Sequence, residues 1–270
     1  MLALLGTNKI WTFAISNIDK FVGYFKEEDG KFRQYYNGTV PNPLLDPRQI
    51  VWVIATPIIG FFLYRYFYFH QSRARKTVVV LSVILLVSKA AEHVIAVIFG
   101  REPIMKIFPY HLCSFTGFAI PLVALFNIKK LKLSIYTLGL MGGVVTMLLG
   151  DSFASRFVTV YVLISVLGHT LIILIPLIEH ATGEYQFELK KSWTIVPILL
   201  LTMIWATAAN RIFFKNTDSN YMYLEKSGFP GGFGGQYFFL LYILVFSALY
   251  AVLFIPPAIR RRRKLLLALD

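Results

Sequence analysis

Apolar residues run along the chain in long, nearly unbroken stretches, and charged residues collect between them. A helix rises 1.5 Å per residue, so about twenty apolar residues cross the ~30 Å of hydrocarbon in a bilayer. Seven stretches have this character, near 49–69, 77–99, 108–126, 133–149, 157–178, 192–214 and 237–259. The pattern predicts an all-α polytopic bundle of about seven transmembrane helices joined by short connections. Residues 49–259 form the transmembrane domain in this reading. Residues 1–48 precede it, and 260–270 form a basic tail.

The first 48 residues carry a different rhythm. Trp11, Ala14, Ile15, Ile18, Phe21, Val22 and Phe25 recur at helical spacing, with Thr12, Ser16, Asp19 and Lys20 between them. Two elements fit: an amphipathic helix lying on the membrane surface, and a short helix tucked against the bundle. A polar, Pro-rich loop follows, and in it Asn37-Gly38-Thr39 matches the glycosylation pattern. The opening MLALLGTNKIW lacks the length and small-residue cleavage site of a signal peptide.

Charge orients the bundle. The 270 residues are 57% hydrophobic and 15% charged, with a formal net charge of +13. In a soluble protein such a balance points to nucleic acid, but here the basic residues flank apolar spans. Arg73, Arg75 and Lys76, then Lys129, Lys130 and Lys132, then Arg260 to Lys264 occupy alternate connections. Basic loops stay in the cytoplasm, so the amino terminus is expected outside and the carboxyl terminus inside the cell membrane. Membrane phospholipids, not nucleic acids, are the expected partners; nothing in the chain points to a protein partner. With one cysteine no intrachain disulfide can form. No metal-ligand spacing or phosphate loop is present, and no cofactor is expected; GFPGGFGGQ at 228–236 reads as a turn-rich connector.

Ionisable groups in hydrocarbon are costly, which makes them functional candidates. Lys89, Glu92 and His93 share one face of the second span by their spacing. They fit an internal ion pair that fixes packing equally well as a catalytic or substrate-binding set. The third span holds Tyr110, His111, Cys113, Ser114 and Thr116. Cys113 lies roughly 8 Å below the outer end of its helix, at a depth comparable with Glu92. His111 and Cys113 are two residues apart and diverge on a regular helix. His169 stands amid apolar residues of the fifth span and needs a partner. A histidine on a separate helix is what would make the thiolate of Cys113 available. A lone membrane cysteine also serves as apolar filler, and a lone histidine also bridges helices. Thr207, Asn210 and Arg211 share a face at the end of the sixth span. Asp151, Arg156, Asp218, Asn220, Tyr221, Tyr223, Glu225 and Lys226 could rim an outer cavity and meet a polar headgroup, or form a solvated loop. Gly139, Gly142 and Gly143 in the fourth span read as packing positions.

Three pieces of the chain resemble a known family. They are Pro109-Tyr110-His111-Leu112-Cys113-Ser114, His169, and Asn220-Tyr221-Met222-Tyr223-Leu224. Together with the seven-span layout they resemble the bacterial YwaF-like integral membrane proteins, related to eukaryotic transmembrane protein 164, over residues 50 to 255. Pro109-Tyr110 stands where the family pattern has Pro-Leu. The eukaryotic relatives look like acyltransferases that move a fatty acyl chain between phospholipids through a cysteine, and more distant relatives are lipid-ester hydrolases. The resemblance implies Cys113 as nucleophile and His169 as base, with His111 and Glu92 in support. Lys89, His93, Ser114, Asn210, Arg211, Asn220, Tyr221 and Tyr223 remain candidates for binding the substrate. Transport along a polar path through Lys89, Glu92, His93 and Arg211 is the rival expectation, with a non-enzymatic scaffold a third.

Overall fold

The computed structural model describes residues 25–26, 32–33, 45–98, 104–149, 153, 158–215, 220–225 and 237–266. Seven α-helices dominate these residues. They are α1 (Pro47–Phe69), α2 (Gln71–Ile98), α3 (Leu112–Leu125), α4 (Lys129–Leu149), α5 (Val160–Ala181), α6 (Ile195–Ala208) and α7 (Phe238–Leu266). Six helical segments are long and apolar enough to cross a membrane; α3, at 14 residues, is apolar but shorter. The polytopic all-α bundle expected from the sequence is therefore present. The amino-terminal helix, the glycosylation triplet, Asp151, Arg156, Asp218, Lys226 and the 228–236 connector lie outside the described residues. Phe25, expected to end the amphipathic stretch, instead pairs as β1 (Phe25–Lys26) with β2 (Phe32–Arg33) in a two-residue antiparallel bridge.

Local chemistry places the helix ends. Asp46 caps α1: its carboxylate accepts from the backbone N–H of Arg48 at 2.8 Å, and Pro47 takes the first helical position. The Arg48 guanidinium on the same carboxylate holds Asp46 below its usual range. A single residue, His70, separates α1 from α2. Arg73, Arg75 and Lys76, expected in a loop, therefore lie in the first two turns of α2. There Arg75 donates to the carbonyls of Ala124 (2.6 Å) and Leu125 (2.9 Å), satisfying the open carboxyl end of α3.

The third span begins later than its hydropathy suggested. Pro109 cannot donate a hydrogen bond, and His111 is extended (φ −84°, ψ 150°), so the helix starts at Leu112. The fourth starts earlier, at Lys129, because Lys132 finds buried partners. The sixth continues from a 3₁₀ turn, Leu189–Thr194, into a π turn, Ala209–Phe213. The seventh runs on to Leu266 and absorbs the start of the expected tail.

Helix α5 sits at the centre, packed against α1, α2, α3 and α4. Ile120, Tyr136, Leu138, Ile172 and Ile175 fill the core between α3, α4 and α5. Small residues bring these helices close. A methyl added at Gly139 would meet Ile120, and one at Gly143 would lie 2.9 Å from Ile173. Phe61, Phe62, Val87, Leu201, Leu244 and Val252 face outward from α1, α2, α6 and α7. Such an apolar exterior suits hydrocarbon rather than water.

Candidate functional site

The helix starts of α3 and α5 and the carboxyl ends of α2 and α4 bring most of the expected polar residues to one end of the bundle. Lys89 and Glu92 form an ion pair of 2.6 Å, with the lysine 1% exposed. The Lys89 stem threads between two helices that carry glycine at the contact. A methyl at Gly117 would stand 2.8 Å from Lys89 Cγ, and one at Gly168 would stand 3.0 Å from Cε. Tyr161, near the start of α5, donates to the other oxygen of Glu92 at 3.4 Å. His93 turns its ring against Phe118, with centroids 5.5 Å apart.

Cys113 occupies the first turn of α3, half-buried. Its sulfur lies 3.1 Å from the hydroxyl of Thr146 on α4. One turn earlier on α4 is Gly142, where an added methyl would come 3.3 Å from the same sulfur. Ser114 is half-buried and makes no hydrogen bond among the described residues. Lys89 and Glu92 are within electrostatic reach of His111, Cys113 and His169 alike.

The two histidines are held by backbone groups of opposite kind. His169 is buried, and its Nδ1 lies 2.8 Å from the Ser165 carbonyl. A carbonyl only accepts, so Nδ1 carries the proton and Nε2 of the neutral ring is an acceptor. Trp52 approaches the ring edge-on at 6.4 Å and is itself fixed by a 2.9 Å bond to Thr170. His111 stands outside the helix, so the divergence expected on a regular helix does not apply to it. Its Nδ1 accepts from the backbone N–H of Met222 at 3.2 Å, which leaves Nε2–H as a donor. No hydrogen bond joins Cys113 to His169 among the described residues.

The segment 220–225 is tied to this end. Asn210, 5% exposed on the π turn, donates to the Tyr221 carbonyl (3.2 Å) and accepts from the Tyr221 N–H (2.8 Å). That clamp uses one donor and one acceptor of its amide, so Asn210 ties the segment to the π turn. Asn220 accepts from the Glu225 N–H at 3.1 Å. Tyr221 and Tyr223 pack on the His111 ring, and Tyr223 also stacks on Tyr242. Arg211 is exposed and pairs with Glu225 at 3.3 Å.

A second buried cluster lies at the other end. Lys132 bridges Glu179 (2.8 Å) and Glu184 (3.1 Å), and Tyr136 donates to Glu179 at 2.9 Å. Beside it is a cavity of about 340 Å³ lined in part by Gln71, Arg75, Asn127 and Glu184. Its charged groups are already committed to one another and to the end of α3. Among the described residues, no group of three or more His, Cys, Asp or Glu side chains is arranged to hold a metal ion.

The model of the TMEM164 family matches residues 44–256. The chain belongs to the TMEM164 family. The match runs from just before the cap of α1 to Pro256 within α7 and includes every candidate residue above. No curated protein and no solved structure matches the chain. Sequence reasoning about this TMEM164 family member missed Thr146, Tyr161, Gly117 and Gly168. Gly142 and Thr146, four apart on one face of α4, were the available sign that something small docks there. Gly168 directly precedes His169.

Proposed function

We propose that the protein is a membrane-embedded lipid acyltransferase that moves a fatty acyl chain from a phospholipid through a thioester on Cys113. The observation that carries this reading is the setting of the one cysteine. Its sulfur lies in a notch on a neighbouring helix, at the end of the bundle that also gathers a buried ion pair and two histidines with opposite roles. Membership of the TMEM164 family adds to it, through the lipid acyl chemistry that the sequence resemblance implies. On the loop charges, this end faces the extracytoplasmic side of the plasma membrane.

In this reading His169 Nε2 takes the thiol proton, across one bridging water or after rotation of Cys113; catalytic hydrogen bonds commonly tighten only with substrate bound. The thiolate attacks the ester carbonyl carbon, and the oxyanion that forms accepts from His111 Nε2–H. The carbon–oxygen bond to the glycerol backbone breaks, and the departing alkoxide takes the proton from His169. A lysophospholipid leaves. The hydroxyl of a second lysolipid then gives its proton to His169 and attacks the thioester, returning the acyl chain to oxygen and the thiolate to Cys113. Water as acceptor makes the same site a lipid-ester hydrolase. The Lys89–Glu92 pair supplies fixed charges beside the reacting atoms without adding net charge.

Transport is the second reading, favoured by the burial of that ion pair on α2. Lipid nanodiscs holding a phospholipid with a labelled acyl chain and an unlabelled lysophospholipid separate the two. The acyltransferase reading expects label in the second lipid, lost in Cys113→Ala and kept in Arg211→Ala. No transfer by the wild-type protein overturns it.

A further inference from the structure

Several hydroxyl side chains within these helices turn back onto their own backbone. Thr77 donates to the Arg73 carbonyl, Ser88 to Ile84, Thr116 to Leu112 and Thr207 to Met203, each one turn back. That is the usual way for a helical hydroxyl to satisfy itself in an apolar setting. Thr146, like Ser134 and Thr170, bonds to a side chain of another element. Its hydroxyl goes across to another helix and meets the sulfur of Cys113 at 3.1 Å. A second feature of α4 meets the same sulfur independently: at Gly142 the missing methyl leaves the space the thiol occupies, since a Cβ there would come within 3.3 Å of Sγ. The spacing of four puts both on one face. A helical threonine has two favoured positions for its hydroxyl, and the one taken at Thr146 turns the oxygen toward the sulfur.

We infer that Thr146 is a positioning residue for Cys113, holding the sulfur over the Gly142 notch and donating its hydroxyl proton to the thiolate. A hydroxyl both donates and accepts. It accepts from the neutral thiol and turns about its C–O bond to donate once the sulfur is ionised. Hydrogen bonds to a charged group are stronger than neutral ones, so the bond favours the ionised sulfur. When the sulfur becomes a thioester its negative charge is gone and the bond weakens. The contact therefore helps most at the moment of attack and when the thiolate leaves again. No covalent step occurs at Thr146 itself. This inference rests on the acyltransferase reading for its catalytic meaning, but its geometric content can be measured without any lipid substrate.

Cys113 is the only cysteine in the chain, so thiol modification reports on it alone. The test follows alkylation by a small membrane-permeant maleimide across a pH series, in nanodiscs, for wild type, Thr146→Val and Thr146→Ser. Valine keeps the shape and removes the hydroxyl; serine restores it. The expected result is alkylation about 10- to 100-fold slower in Thr146→Val near neutral pH, the size of one lost hydrogen bond to a charged group. Its pH profile moves upward, and Thr146→Ser returns near wild type. Acyl transfer by Thr146→Val should fall in kcat with KM within about twofold. An unchanged alkylation rate and profile in Thr146→Val overturns the inference, even if the wild type transfers acyl chains. A shifted profile in a protein that forms no acyl-enzyme supports the contact and overturns the acyltransferase reading instead.

Discussion

Among the described residues two lysines are buried, and they are built into the bundle in nearly the same way. Lys132 pairs with Glu179, which also accepts from Tyr136; Lys89 pairs with Glu92, which also accepts from Tyr161. Each lysine is 1% exposed. They differ in their surroundings. Around Lys132 the charges are paired off: Glu184 also takes up the ammonium, and the Tyr136 and Tyr185 rings meet edge to face at 5.1 Å, with the Tyr185 hydroxyl making no hydrogen bond among the described residues. Burial pushes the Tyr185 phenol well above its usual value, so it stays protonated and adds no charge. Around Lys89 stand a cysteine and two histidines whose free ring nitrogens are not spent on the pair. A buried ion pair is poor evidence for function, because desolvation offsets much of its attraction. The neighbours tell the two apart: Lys132 is held by a second carboxylate, whereas Lys89 lies within electrostatic reach of a thiol and two imidazoles.

Substitutions can break or sharpen that contrast. The largest effect is expected from His169→Ala, which removes the acceptor nitrogen: acyl transfer per folded molecule should fall by about 10²- to 10⁴-fold. Lys132→Met should do the opposite. It leaves Glu179 buried without its partner, at a cost of about 3–5 kcal/mol in stability. A lower unfolding temperature in detergent is the expected readout, with unchanged transfer per folded molecule. Equal losses of activity in the two variants would erase the distinction between the ends. Gly168→Ala pushes a methyl into the Lys89 stem and should cost about 1–3 kcal/mol, with transfer reduced because the ammonium is displaced. The smallest effect belongs to Tyr161→Phe, which loses a long 3.4 Å bond to Glu92; a loss of about 1 kcal/mol or less is expected by thermal unfolding.

The architecture was largely legible because hydropathy runs report the bilayer directly. What it mislaid were ends decided by particular side chains. Arg75 belongs to helix α2 because it caps the carbonyls of Ala124 and Leu125, and nothing about a basic cluster announces that. His111 was read as part of a helix, yet Pro109 and the Met222 N–H hold it just outside one, which changes where its ring points. The Lys89–Glu92 pair was readable because its partners are three residues apart on one helix. The partner of Cys113 was not, since Thr146 is on another helix and its hydroxyl resembles any other in an apolar span. Asn210 is a similar case. A polar residue near an outer rim suggests ligand binding, and nothing in the sequence signals that the Tyr221 backbone, brought back by tertiary structure, bonds to both ends of its amide.

The central claim is that Cys113 carries an acyl chain. Its most direct test is the intact mass of the protein from nanodiscs containing phospholipid with an isotopically labelled acyl chain, with no acceptor added. The account predicts a labelled acyl adduct that hydroxylamine removes, absent in Cys113→Ala and diminished in His169→Ala. A wild-type protein that stays unmodified for hours, with its lipids unchanged, would contradict it and shift the weight to transport along the Lys89 and Glu92 face.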